Sequence, residues 1–263
     1  MIKWCFSTLG CADRSLSDVI SLAERYGISA LEIRGIGGEL KNEKISDFSV
    51  ENTEKTKKIF ADANILPLIL GTSVSFHDED LLEKNLAEAE ASLQIASRMG
   101  FSAIRVFGNS IVGDETECIS RVASGISRLC RIAEKIGVSV FLEVHGDFNT
   151  IERILPIAEL CGGIGSFGII WDICHTHSAY NQNWRVFYDA LEPYIRHVHI
   201  KDVFSGKQVL PGDGELPIRE VIEYLSAKGY NGYFSLEWEK YWHRDLPEIE
   251  EALDKLFSLF KYK

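Results

Sequence analysis

Residues 139–172, SVFLEVHGDFNTIERILPIAELCGGIGSFGIIWD, carry the pattern from which the fold can be inferred. Two short apolar runs, SVFLEV at 139–144 and FGIIWD at 167–172, predict strands, and the segment between them has a helical pattern. Each run has a carboxylate at or near its C-terminal end, Glu143 in the first and Asp172 in the second. The two carboxylates are 29 residues apart, which matches one strand–helix unit of roughly 30 residues.

The same unit recurs along the rest of the chain. The next apolar runs are IRHVHI at 195–200 and YFSLEW at 233–238, with His199 and Glu237 near their ends, and the spacings of 27 and 38 residues continue the series. Strands are predicted at 2–8, 30–34, 65–71, 103–108, 138–144, 168–173, 196–201 and 232–238. Eight strand–helix alternations without a linker predict an α/β fold, a single (β/α)8 TIM barrel domain over 1–263, since such barrels have about 250 residues.

Composition restricts the classes of partner. The chain is 46% hydrophobic and 25% charged, which supports a large core, and its net charge of −11 disfavours nucleic acid and anionic membranes as partners. Six cysteines form no CxxC pair, as expected for a reduced cytoplasmic protein. No secretory signal is visible at the N-terminus, and no run of about 18 apolar residues predicts a membrane span.

Four residues predict a metal site. The C-terminal ends of parallel barrel strands meet on one face, where active sites lie, so Glu143, Asp172, His199 and Glu237 are expected to lie together. Three carboxylates and an imidazole would repel one another unless a divalent cation neutralised them. Three oxygen ligands and one nitrogen favour Mn²⁺, Mg²⁺ or Co²⁺, with Zn²⁺ as an alternative.

Further polar side chains share the phase of these four residues. Side chains alternate across a strand, so a residue and its second neighbour lie on one face. The polar phase comprises Glu32, Arg34, Arg105, Asn109, Glu143, His145, His197, His199, Lys201, Ser235, Glu237 and Glu239. We expect these side chains inside the barrel mouth, where so many charges are not ordinary core filler. The long connections 35–49, 202–217 and 239–247 follow strands and are candidate lids.

Several motifs resemble a known family over essentially the whole chain. They are LEVHGD at 142–147, WDICHTH at 171–177, HVHIKD at 197–202, PGDGELP at 211–217 and LEWE at 236–239. In order and spacing they resemble the sugar isomerase/epimerase branch of the xylose-isomerase-like TIM barrels, which includes ketose 3-epimerases, hydroxypyruvate isomerases and inosose dehydratases.

The resemblance implies both cofactor and chemistry. The positions that match the family's single divalent metal site are Glu143, Asp172, His199 and Glu237. The family's ketose 3-epimerases use glutamates matching Glu143 and Glu237 as a pair of acid/base groups, and a histidine matching His175 contacts substrate hydroxyls. The better-known free-ketose 3-epimerases carry an arginine shortly after the metal histidine, whereas 199–204 reads HIKDVF, which puts their substrate specificity in doubt for this chain.

These observations predict an isomerase or epimerase that acts on a small sugar or sugar phosphate through a cis-enediolate. A cation would stabilise the enediolate while two carboxylates move the proton. His145 and Lys201 share the inward phase and are candidate substrate contacts, although Lys201 could instead pair with a carboxylate. Arg105 either binds a substrate phosphate or forms a salt bridge inside the barrel. By resemblance, a homodimer or homotetramer is expected.

Two other enzyme classes share the barrel. An inosose-type dehydratase begins with the same proton abstraction, and the sequence does not separate it from an epimerase. An abasic-site endonuclease needs further histidines at the third and fourth strand ends, where Gly71, Thr72, Gly108 and Asn109 stand, so it is disfavoured. The glycines at 163, 165 and 168 spell GxGxxG but follow a helix and precede a strand, the reverse of a dinucleotide-binding turn.

Overall fold

Apolar and polar residues alternate along the strands, and the polar side chains point into a closed barrel near the C-terminal ends of its strands. The computed structural model describes residues 2–260, so Met1 and residues 261–263 of the predicted domain lie outside the described residues. The strands are β1 (Lys3–Ser7), β2 (Ala30–Ile33), β3 (Leu66–Ser75), β4 (Ala103–Phe107), β5 (Ser139–Glu143), β6 (Phe167–Asp172), β7 (Ile195–Ile200), β8 (Asp202–Phe204), β9 (Lys207–Val209) and β10 (Tyr233–Leu236). Eight of them pair in parallel in the order β1-β10-β7-β6-β5-β4-β3-β2, and β8 and β9 form a separate antiparallel hairpin. The predicted TIM barrel is confirmed.

The helices pack around the outside of the barrel. They are α1 (Leu16–Arg25), α2 (Thr53–Asp62), α3 (Leu82–Met99), α4 (Glu115–Glu134), α5 (Ile151–Cys161), α6 (Ile173–Tyr180), α7 (Trp184–Leu191), α8 (Ile218–Ala227) and α9 (Ile249–Ser258). Ser15 caps α1 by accepting from the backbone N–H of Asp18, and Gly100 ends α3 with a φ of 85°, the left-handed conformation that glycine adopts readily. Helix α5 ends at Cys161 and β6 begins at Phe167, so the GxGxxG stretch is a helix-to-strand turn, as predicted.

One predicted strand ended several residues too early. The third strand was expected to end at residue 71, but β3 continues to Ser75, because the pairing with β4 shifts register between Gly71 and Ser75 and resumes at Phe107. The last helix, α9, begins at Ile249, and the indole N–H of Trp238 donates to the carbonyl of Pro247 at 2.9 Å in the segment before it.

The core has two parts that leave a polar layer between the barrel floor and its mouth. The large hydrophobic cluster lies between the sheet and the surrounding helices, and it includes Trp171 and Trp238, both fully buried. A small cluster of Ile69, Ala103 and Ile170 closes the barrel interior from below. The inward polar side chains stand above this floor, so the strands supply a rigid support for a site at their C-terminal ends.

The connection 202–217 is ordered. Its hairpin, β8 and β9, is anchored by Asp202, whose carboxylate accepts the backbone N–H groups of Val203, Gly212, Gly214 and Leu216 at 2.8–3.1 Å. A buried carboxylate that accepts several backbone N–H groups fixes the path of the segment strongly.

No helix within residues 2–260 combines the length and the apolar character needed to cross a bilayer.

Candidate active site at the open end of the barrel

The structure brings the four predicted metal ligands together. Glu143 and Asp172 end β5 and β6, His199 lies near the end of β7, and Glu237 directly follows β10. One ligand atom from each of the four lies within 4.8 Å of the others, and all four residues are at most 3% exposed. Register explains the convergence, because His199 is the strand partner of both Asp172 and Ser235.

A hydrogen bond orients the histidine toward the carboxylates. Nε2 of His199 lies 2.9 Å from Oε2 of Glu32, and Ser235 also donates to that carboxylate oxygen at 3.3 Å. Nδ1 of the same ring lies 3.4 Å from Oε1 of Glu237 and 3.7 Å from Oε1 of Glu143. Metal-binding histidines are commonly held in this way by a carboxylate behind the ring.

The donor atoms fit a divalent cation. Oε2 of Glu143 lies 3.0 Å from Arg105 and Oδ2 of Asp172 lies 2.9 Å from Lys201, whereas Nδ1 of His199 is buried and has no hydrogen-bond partner among the described residues. Buried polar atoms are normally satisfied, so this nitrogen, which faces carboxylate oxygens, fits a ligand that the protein itself does not provide. Carboxylate oxygens with one imidazole nitrogen suit Mn²⁺, Mg²⁺, Co²⁺ or Zn²⁺.

Two buried cations surround the cluster. Nζ of Lys201 lies 2.9 Å from Asp172, 2.8 Å from Glu237 and 2.8 Å from Glu239. Burial would raise the pKa of Glu237, but Lys201, then His199, hold it well below its usual range. Burial likewise opposes the charge of Lys201, whose pKa is nevertheless raised well above its usual value by Asp172 and the two glutamates. Lys201 thus forms the ion pairs that were one of its two predicted interpretations, and its role as a substrate contact remains a prediction.

Arg105 lies on the other side of the cluster. Its Nη1 is 3.0 Å from Glu143, 3.3 Å from Glu237 and 3.6 Å from Glu32. Burial favours the neutral form of Glu143, yet the Arg105 guanidinium and the His199 ring lower the pKa of that carboxyl. Arg105 thus forms the salt bridge that was one of its two predicted interpretations, and its role as a substrate contact remains a prediction.

The two predicted substrate histidines stand side by side at the mouth. The ring centroids of His145 and His175 are 4.2 Å apart, and the edge of His145 meets Phe107 at 5.0 Å. Burial lowers the pKa of His145, which keeps the ring neutral at pH 7. The side chain of His175 is one quarter exposed.

Two cavities open beside these histidines. One of about 250 Å³ is lined by the cluster glutamates and by Arg34, Ser73, Arg105, Asn109 and Trp242, among others. A second, of about 510 Å³, lies on the other side and is lined by His175, Lys201, Lys207, Gln208 and His243, among others. His145 and Glu239 line both cavities, so the two are lobes of one cleft above the cluster. Segment 202–217 and segment 239–247 each contribute lining residues.

Sequence reasoning left several site residues without a role. It placed Glu32, Arg34, Asn109 and Glu239 in the inward phase and did not assign them a partner. The spacing of Glu32 and Arg34 could have indicated a role in the site, because two residues that are two positions apart on a strand face the same side, here the barrel interior. Ser73 was missed because the third strand was predicted to end before it.

Comparison with known proteins agrees with the fold. A sequence profile described as the xylose isomerase-like TIM barrel matches residues 20–259. Fructoselysine 3-epimerase from Escherichia coli O157:H7 is 27% identical over 171 residues, which cover 61% of this chain and 61% of that protein. Inosose isomerase from Halalkalibacterium halodurans is 24% identical over 255 residues, which cover 90% of this chain and 87% of that protein.

Among solved structures, the IolI protein with a bound zinc atom has the same fold, with a TM-score of 0.80 at 21% identity over 98% of this chain and 96% of that one. The alignment with the first of the curated relatives spans about three fifths of that protein's length. The profile, in contrast, extends over nearly all of the described residues. The chain therefore belongs to the xylose isomerase-like TIM barrel family.

Proposed function

We propose that this protein is a divalent-metal-dependent epimerase or isomerase of a small ketose or ketose derivative, with its catalytic barrel extending over residues 1–263. One observation carries the proposal: the carboxylates of Glu143 and Glu237 both face Nδ1 of His199, at 3.7 and 3.4 Å, on the wall of a cavity of about 250 Å³. Two carboxylates on one small cavity are suited to removing a proton and returning it.

Glu143, Asp172, His199 and Glu237 would hold the cation. When bound, it would supply a Lewis acid that stabilises negative charge as it develops on the ketone oxygen of the substrate. Mn²⁺ is the first candidate because oxygen ligands predominate, and the zinc in the related IolI structure makes Zn²⁺ the second. Glu32 would hold the His199 ring in place through its 2.9 Å contact with Nε2.

The two glutamates would move the proton. Glu143 takes the proton from the carbon next to the ketone, and the electron pair of that C–H bond forms the enediolate. Glu237 then gives a proton to the same carbon from the opposite face, which inverts it. Return to the neighbouring carbon would exchange the aldose and ketose forms instead. In this direction Glu237 carries a proton at the start and Glu143 carries one at the end, so the reverse reaction uses the two glutamates in the opposite order. Lys201 donates to Oε2 of Glu237 at 2.8 Å and holds that side chain in place.

The remaining residues would bind and orient the substrate. His145 and His175, side by side at the mouth, offer ring nitrogens to the substrate's hydroxyl groups. Arg105 would stabilise the negative charge that develops on the enediolate, because its Nη1 already lies within 3.3 Å of both catalytic glutamates. Preorganised positive charge of this kind is a large contributor to catalysis in buried sites.

Deuterium exchange tests the proposal. The purified protein, loaded with Mn²⁺, is incubated in D₂O with free and phosphorylated ketoses, and each carbon is followed by NMR. Deuterium at C3 identifies a 3-epimerase, and deuterium at C1 or C2 identifies an aldose–ketose isomerase. The matched control is Glu143→Gln, which removes the base and keeps the side-chain size. A protein that exchanges no ketose but eliminates water from an inosose is instead a dehydratase of the kind that the sequence left open.

A further inference from the structure

A buried arginine lines the smaller of the two cavities. Arg34 follows β2, is 5% exposed and lines the cavity of about 250 Å³. Glycine at position 71 makes room for it, because a Cβ there would come within 2.7 Å of Cδ of Arg34. Its guanidinium donates to the carbonyl of Leu40 at 3.2 Å and to the hydroxyl of Ser73 at 2.6 Å.

This guanidinium has no carboxylate within ion-pair distance among residues 2–260, and the charges of Glu143, Glu237 and Glu32 act on it only from farther away. Across residues 2–260, Arg34 makes hydrogen bonds only to neutral groups and forms no ion pair, whereas Arg105 and Lys201 each contact at least three carboxylates. Burial, and next the like charge of Arg105, lower the pKa of Arg34 to about 10. It is still charged at pH 7. A buried charge without a direct partner lowers the stability of the folded state by roughly several kcal/mol, unless a ligand supplies the opposite charge.

The cavity brings this arginine and several carboxylates to one space. Its lining includes the donors Arg34, Arg105, Ser73, Ser75 and Asn109 and the acidic side chains of Glu143, Glu237 and Glu239. Arg105 already pairs with Glu143 and Glu237, at 3.0 and 3.3 Å, so Arg34 is the arginine of this lining that the glutamates leave without an ion pair among residues 2–260. A molecule that presents its ketone to the glutamates can present another group to Arg34 and Ser73. An extended ligand with an anionic end fits this distribution of charge.

The backbone beside the arginine wall is strained. Asn109 has a φ of 75°, in the left-handed region that few non-glycine residues adopt. The carbonyl of Asn109 accepts the backbone N–H of Asp147 at 2.9 Å, and a Cβ on Gly146 would collide with that carbonyl at 2.5 Å. The loop after β5 thus holds the residue in place. Backbone strain of this kind concentrates at ligand-binding positions.

Support of the neighbouring backbone does not by itself explain why a charged side chain is buried at Arg34. Its contact with Leu40 supports the connection 35–49, but a neutral donor such as glutamine would support a carbonyl without burying a charge. The charge itself needs a partner, and the cavity is the open space that Arg34 faces together with the hydroxyl of Ser73.

We propose that Arg34, with Ser73 and Asn109, binds an oxyanion of the substrate, a phosphate or a carboxylate, at the end distant from the reacting carbon. The inference rests on the proposed function and specifies its substrate class as an acidic polyhydroxy ketone. Arg34 is then a specificity-determining residue, because a neutral sugar would leave its charge unpaired.

Calorimetric titration tests the subsite apart from turnover. Chelator-treated protein is titrated with glycerol 3-phosphate, D-glycerate and glycerol, so that no metal can bind the anion. Wild type should bind at least one of the two anions, the tighter of which identifies the source of the oxyanion, and should bind glycerol much more weakly. Arg34→Gln should weaken anion binding by at least tenfold. The same substitution at the half-exposed Arg128, which pairs with Glu83 outside the barrel, should leave it unchanged.

The outcomes separate this inference from the proposed function. Equal anion binding by wild type and Arg34→Gln, or exchange confined to neutral ketoses with unchanged kcat/KM in the variant, would overturn the inference and keep the proposed function. Arg34-dependent anion binding without exchange in any ketose would support the subsite and count against the proposed function. If Arg34→Gln does not fold, Ser73→Ala and Asn109→Ala carry the test, and each should weaken anion binding several-fold.

Discussion

Nε2 of His199 lies 2.9 Å from Oε2 of Glu32 inside the barrel, and this contact turns Nδ1 of the same ring toward Glu143 and Glu237. The carboxylate of Glu32 is fully buried and also accepts a hydrogen bond from Ser235. It is therefore held on two sides, and the histidine has little freedom to rotate. The geometry of the candidate metal site depends on a residue that is not one of its four ligands.

Removing Glu32 should weaken metal binding. Glu32→Ala frees the His199 ring, and loss of such a supporting carboxylate lowers metal affinity by about 10–100-fold. Glu32→Gln keeps an acceptor oxygen and should have a smaller effect. Competition with a chelator for Mn²⁺ measures both constants, with the exposed Glu83→Ala as the control. Wild-type affinity in Glu32→Ala would contradict the orienting role.

Metal should raise the thermal stability as well as restore activity. EDTA is expected to inactivate the protein and Mn²⁺ to reactivate it. At a free concentration of 100 times Kd, binding stabilises the folded state by about 2.7 kcal/mol, which corresponds to a Tm increase of about 5–10 °C for a chain of this size. Differential scanning fluorimetry measures the shift. The same Tm with EDTA and with excess Mn²⁺, Zn²⁺, Mg²⁺ or Co²⁺ would count against the metal site.

Glu143→Gln and Glu237→Gln should each lower the rate of deuterium exchange by at least about 100-fold, the typical contribution of a positioned acid or base. Both glutamates are expected to bind metal and to move protons, so metal affinity has to be measured for each variant at the same time. Glu220→Gln on the outer surface, where Glu220 pairs with Arg185, is the matched control. Near wild-type exchange in either variant would remove the two-base mechanism.

The sequence predicted the interior of the site from strand alternation alone. Glu143 and His145 were assigned to one face of a strand, and His199 and Lys201 to one face of another, and these side chains do line the barrel mouth or lie buried below it. Alternation works here because a strand in a closed barrel has only an inner and an outer face.

Pairing between charges could not be predicted in the same way. Glu32 and His199 are 167 residues apart, and the alternation shows that both face inward but not which cation meets which carboxylate. That no carboxylate among residues 2–260 forms an ion pair with Arg34 is likewise a property of the closed barrel, since the sequence offers several inward carboxylates. These choices depend on strand register, including the shift between Gly71 and Ser75.

The Asp202 anchor should control the order of segment 202–217. Asp202→Ala leaves four backbone N–H groups without their acceptor, which should cost about 3 kcal/mol and speed tryptic cleavage after the exposed Lys207. Gly214→Ala should have the same effect, because a Cβ there would collide with the Asp202 carboxylate. Gly163→Ala, where a Cβ meets no atom within 4 Å, is the control. Unchanged cleavage and Tm in both test variants would exclude the anchoring role.

The contact between the first and last helices should depend on pH. Glu250 in α9 accepts from both terminal nitrogens of Arg14 at 2.8 Å and from Arg25 at 2.9 Å. These contacts, the Arg14 hydrogen bonds first, lower the pKa of Glu250 from 4.5 to about 2. A carboxyl with a lowered pKa stabilises the folded state above its unfolded pKa and loses that contribution as the pH falls through the folded value.

Urea unfolding of wild type and Glu250→Gln should therefore give a difference in unfolding free energy that is constant above about pH 5.5 and shrinks as the pH falls from 4.5 toward 2. Glu248→Gln, at a more exposed carboxylate 3.4 Å from Arg14, should show a much smaller difference, because exposed ion pairs contribute little. A Glu250→Gln difference that is equally large at pH 7 and pH 3 would assign the effect to packing of the side chain rather than to its charge.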